Sequence, residues 1–205
     1  MRRYWDSRTT GRKLVKVLLA IFGLVLWAGA AAATPAGTVI GVRGLCTDHG
    51  HVLNRGDAVQ ISDTLNVMAG GNLKLQMAEG SVISVAGGSS ITVASYESAG
   101  SSRAVKVALT QGLLRITSGT RPFEVSTAFG TAAVGSDFTD WFIKAEPDSA
   151  QVGVLSGIVD LTSNPTEESV SIPAHWGTRL EVNRAPVPPR VWSQSEFNGF
   201  IRLTE

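Results

Sequence analysis

An all-β fold is what this 205-residue sequence predicts, and three observations predict it. Apolar residues alternate with polar ones along short runs such as Ala150, Val152, Val154 and Val159, Leu161, the period-two pattern of half-buried strands. Glycine turns at Gly70-Gly71, Glu79-Gly80 and Gly87-Gly88 punctuate the runs between 72 and 95 at intervals of about nine residues, in a chain with 22 glycines. No long run of 3.6-residue period crosses the body, and 43% hydrophobic against 17% charged residues is enough to bury a sizeable core. The expected body is a β-solenoid-like stack or a two-sheet sandwich of glycine-punctuated strands, closed by a short C-terminal helix.

The first 33 residues read as an export segment. Arg2, Arg3, Arg8, Arg12, Lys13 and Lys16 precede an uncharged apolar run from Val17 to Ala33 that ends in four alanines. A basic start, an apolar middle and a small-residue end form a secretory signal with cleavage near Ala33. The same run, counted from Leu14, is also long enough to stay as an uncleaved membrane anchor. Either way residues 37–205 face outward, a periplasmic location in a bacterium, and the membrane is touched only through this segment if it is retained. Beyond residue 16, 12 basic residues stand against 16 acidic ones, so the body carries about −4 and lacks the positive field that nucleic acid requires.

Strands are expected at Thr38 to Arg43, Asn72 to Ala78, Ser81 to Ala86, Ser90 to Ser95, Arg103 to Leu109 and Gly112 to Ser118, with Leu45 to Arg55 a polar loop. The centre is the stretch Thr127 to Thr162. Its strand from Asp137 to Lys144 has apolar residues on both faces, Phe138 and Phe142 on one and Trp141 and Ile143 on the other, as a central two-sided element would. The Gly135-Ser-Asp-Phe138 corner is expected to be structural, with Gly135 at positive φ, Asp137 bonding locally or meeting a ligand, and Phe138 plugging the core. Two further strands, Glu168 to Pro173 and Gly177 to Val182, lead to Pro186-Val-Pro-Pro189. Ser193 is then placed to cap a helix, with Glu196 three residues on for a capping box and Trp192 and Phe197 as a hydrophobic staple.

Several of these runs carry a family resemblance. Phe123-Glu-Val-Ser-Thr127, Gly130-Thr-Ala-Ala-Val-Gly-Ser-Asp-Phe138 and Val154-Leu-Ser-Gly-Ile-Val-Asp-Leu161 resemble the FecR family of periplasmic signal-transduction domains, as do Gly56-Asp57 and the run from Leu73 to Val85. Ala128 stands where the family has proline, Ser136 where it has threonine, and Glu79 where it has aspartate. The resemblance spans residues 37–185, with 186–205 a proline-rich linker and capping helix. It implies a signalling domain that meets a protein partner or envelope ligand. The cytoplasmic sigma-binding element of the family's regulators does not carry over, because only about a dozen polar residues precede the apolar run.

Chemistry-bearing patterns are few. Cys46, His49 and His51 lie within six residues and could offer thiolate and imidazole ligands to zinc or copper, but no fourth ligand lies nearby in sequence, so a polar surface turn is the expected reading and no metal site is assigned. Gly153-Val-Leu-Ser156-Gly157 lacks the spacing of a nucleophile elbow, and no phosphate loop or zinc-protease motif occurs. No cofactor and no enzymatic activity are therefore expected. Trp176, beside His175 in a Pro-x-His-Trp-Gly turn, is the aromatic best placed for an exposed contact. The leading expectation is a non-enzymatic sensing or signalling domain that binds an envelope partner; the alternative is a structural or scaffolding domain of the envelope.

Overall fold

The computed structural model describes residues 35–97, 104–119, 121–135 and 138–205; the expected leader, and Ser136 with Asp137, lie outside them. Seventeen strands follow in order: β1 (Gly37–Arg43), β2 (Cys46–Asp48), β3 (His51–Val52), β4 (Ala58–Val59), β5 (Thr64–Val67), β6 (Asn72–Met77), β7 (Val82–Ala86), β8 (Ser89–Glu97), β9 (Ala104–Thr117), β10 (Phe123–Ser126), β11 (Gly130–Val134), β12 (Asp140–Ala145), β13 (Ser149–Ser156), β14 (Ile158–Ser163), β15 (Ser169–Pro173), β16 (Trp176–Glu181) and β17 (Arg190–Val191). Among the described residues one helix, α1 (Gln194–Thr204), follows the strands.

The strands divide between two open sheets that share β9. The first runs β4-β1-β6-β7-β9-β12-β13-β16-β17 and the second β3-β2-β5-β8-β9-β10-β11-β14-β15. Where two strands are predicted at 103–109 and 112–118, the chain makes one long strand with a bend. Gly112 makes the bend possible: its φ is +100°, and a Cβ there would fall 2.1 Å from the Ser89 hydroxyl. The expected Leu45–Arg55 loop likewise holds the small hairpin β2–β3, with Asp48 paired to His51.

Inward residues of both sheets form one core. It includes Leu65, Leu73, Leu75, Ile83, Ile91, Leu114, Phe123, Trp141 and Ile143, all 1% exposed or less. β12 is the two-sided strand that its sequence predicts, held between β9 and β13. Trp141 and Ile143 face the core, while Phe142 faces the other way, toward α1.

The helix docks by its apolar face. Trp192, Phe197, Phe200 and Ile201 gather with Phe142, Leu113 and Leu155 in a second cluster. Trp192 stacks on Phe200 at 5.5 Å and 18°, and lies 5.5 Å from Phe197 across the staple. Arg115 seals the rim, 5.5 Å from the Phe142 ring centre and bonded to both Asp140 oxygens at 3.0 and 2.8 Å.

Ser193 caps α1 and Glu196 closes the box, accepting from the Ser193 N–H at 2.7 Å and from Arg190 at 2.6 Å. Those bonds, Arg190's first, hold the Glu196 carboxyl down at about 2, against an ordinary 4.5. A carboxyl depressed in the folded state contributes stability that is present above its unfolded value and lost as pH falls through the folded one. The helix is therefore expected to loosen between about pH 4.5 and pH 2. Trp192 fluorescence should report the transition, and in Glu196→Gln that step should be missing; an unchanged step would assign it to other groups.

Candidate partner-binding surface

Three connections that cross between the sheets meet at one end of the body: the β11–β12 connection, where Phe138 and Thr139 lead into β12, Gly157 from β13 to β14, and 174–175 from β15 to β16. Thr139 packs against Gly157, where φ is +85° and a Cβ would come within 2.4 Å of the threonine hydroxyl. His175 adopts φ +67°; its N–H donates to the Val154 carbonyl at 2.7 Å and its carbonyl accepts from Trp192 at 3.1 Å. This hydrogen bonding fixes the His175–Trp176 turn against the end of β13.

The same end exposes large apolar side chains. Phe138 is 71% exposed, Ile158 and Val191 60% each, and Trp176 36%. Trp176 and Val191 are direct cross-strand partners, so their side chains share a face. Ile158 pairs with Pro173 one connection away. Scattered apolar residues are normal on a surface; here Trp176 and Val191 form one exposed cross-strand pair, Ile158 stands on the outer face of β14, and Phe138 precedes β12, side chains of the kind that bind protein.

Phe138 requires a correction. It was expected to plug the core, but the strand begins only at Asp140, and the buried threonine Thr139 turns the chain inward in its place. Gly135 differs too. It has no positive φ and open space around its Cβ position, so the corner makes no demand for glycine there. Asp137 lies outside the described residues. His175 and Trp176 are both exposed and sit together, as the turn motif implies.

Beside this end a cleft of about 500 Å³ opens between β16, the segment around Val187 and Pro188, and α1. Trp192, Phe200 and Gly177 line its floor, with Arg179, Arg190 and Glu196 at its walls. The charges pair internally, Arg190 with Glu196 and Arg179 with Asp148 and Glu181, which leaves the cleft without a free charge for an ionic ligand.

The cysteine–histidine group does not assemble as a metal site. Cys46 is fully buried, its thiol directed at the carbonyls of Arg43 and Asn72, and burial raises its pKa so that it stays protonated. His51 is exposed on β3. His49 instead bonds Asp48 at 2.7 Å, and the ligand atoms of Asp48, His49 and Asp63 lie within 4.8 Å of one another. Asp63, brought in by the pairing of β5 with β2, is a neighbour that loop spacing does not reveal.

Residues 63–160, from the start of β5 into β14, match the family model described as FecR protein. Two crystal structures, each of a candidate anti-sigma factor from Parabacteroides distasonis ATCC 8503, are similar with a TM-score of 0.55 at 15% identity. The alignments cover 67% of this chain and 63% and 64% of theirs, so the chain spans less than two thirds of those structures, and the likeness is one of fold. No curated protein matches the chain.

Proposed function

We propose, from the FecR domain that the chain carries over residues 63–160, that it is a non-enzymatic signalling module of the periplasm, exported by residues 1–33, that binds an envelope protein partner. In this reading 37–185 form the signalling domain and 186–205 a capping linker and helix. The observation that carries it is the exposure of Phe138, Ile158 and the Trp176–Val191 pair at the connections between the sheets, which offers hydrophobic burial to a partner. The structures resembling the fold are described as candidate anti-sigma factors, which supports a regulatory rather than a catalytic role.

The exposed residues and the export are tested separately. A reporter fused after Glu205 should be active only outside the cytoplasm. For the exposed residues, Phe138→Ser with Val191→Ser should abolish capture of the envelope partner that the wild type retains, while stability moves by less than about 0.5 kcal/mol per exposed site. Val52→Ser, equally exposed but on the β2–β3 hairpin, should leave capture unchanged. Equal loss in both variants would show non-specific stickiness, and full capture by the double variant would move the site elsewhere.

A further inference from the structure

Four strands end the two sheets, and three of them are blunt. β3, β4 and β17 have two residues each, which leaves little edge to pair with. β15 is different: five residues, Ser169-Val-Ser-Ile-Pro173, in continuous register with β14, without a bulge and without a charge.

The direction of its backbone groups follows from the hairpin. Ser163 N–H donates to the Glu168 carbonyl at 2.9 Å, which makes 163 and 168 a hydrogen-bonded pair. Alternation then makes Leu161–Val170 and Val159–Ile172 the bonded pairs, so Ser169, Ser171 and Pro173 point their backbone groups away from β14. Among the described residues none bonds to those groups. Pro173 fits this placement, since its missing N–H faces outward. The Ser169 and Ser171 hydroxyls bond back within the sheet, to Thr162 and Asp160, which leaves the strand edge itself open.

We infer that β15 pairs with β15 of a second copy, antiparallel about a two-fold axis at Ser171. In that register Ser171 exchanges two backbone bonds with its counterpart. Each Ser169 N–H meets the carbonyl of the opposite Pro173, so every outward donor has an acceptor and the proline leaves no donor unmet. Val170 faces Ile172 of the second copy on the inner side, two apolar cross-strand pairs. A slip centred on Val170 would set Ile172 against Glu168, so the hydrophobic pattern selects the first register. An uncharged strand that is its own complement favours a second copy over a foreign one. The inference does not rest on the proposed signalling role.

Cysteine cross-linking in intact cells tests it on the full chain, whose one native thiol, Cys46, is buried. Ser171→Cys is expected to give a disulfide dimer under mild oxidation, at least about tenfold above Ser169→Cys, because only residue 171 faces itself, at the Cα spacing of about 5.5 Å that a disulfide tolerates. Ser171→Pro removes the outward N–H and the exposed hydroxyl bond to Asp160, and no backbone bond to β14. It should leave protease resistance intact and turn a dimer into a monomer in sedimentation of the purified protein. A monomeric wild type, or equal cross-linking at 169 and 171, would overturn the proposal.

Discussion

Trp141→Ala is expected to destabilise the body by about 3 to 5 kcal/mol, the usual loss on emptying a large aromatic site, whereas Phe138→Ala, three residues earlier, should change stability by less than about 0.5 kcal/mol. Trp141 is completely buried in the core between β9 and β13, and among the described residues its indole N–H has no hydrogen-bond partner. The loss is therefore one of packing, so Trp141→Phe, which refills much of the space, should recover most of it. Phe138 touches little that folding buries. Denaturant midpoints for the three variants decide the matter: a Phe138→Ala protein as unstable as Trp141→Ala would place Phe138 back in the core. A stable Trp141→Ala protein would mean that the two sheets do not close over β12.

The contrast shows where the sequence is readable. Period-two alternation is set by the strand itself, so the inward assignments of Trp141, Val152, Val154, Val159 and Leu161 follow from it and agree with their burial. Phe138 keeps the same alternation on paper, but it precedes the first paired residue, and alternation has no meaning where no sheet fixes the pleat. The cap at Ser193 and Glu196 is local chemistry across three residues, and local chemistry is legible. The grouping of Asp63 with Asp48 and His49 depends on which strands pair, and so does the bend at Gly112, which is dictated by Ser89. Long-range pairing leaves no mark on the spacing of either segment. The Trp176–Val191 pair lies between these cases: the exposure of Trp176 was legible from its turn, its meeting with Val191 was not.

Gly177→Ala is expected to cost about 1.5 to 3 kcal/mol, although it adds only one methyl group to a strand where alanine would ordinarily be as good as glycine or better. Gly177 and Gly153 are cross-strand partners, and the Trp192 ring lies directly over both. A Cβ on Gly177 would fall 2.1 Å from the indole, and one on Gly153 2.5 Å from its far edge. Both strands lie beneath the ring, so the ring must lift. Lifting it releases the staple to Phe197 and the stack on Phe200, and burial of one such side chain contributes about 1.5 to 3 kcal/mol. The helix should then detach as a unit: its last turns become sensitive to protease while the β-body stays folded. Trp192→Ala should undock the helix in the same way, and adding Gly177→Ala to it should cost almost nothing more, because the clash has gone. Additive losses in the double variant would show that the glycine is needed by the strand and not by the tryptophan, and the paired glycines would lose their role as the seat of the helix.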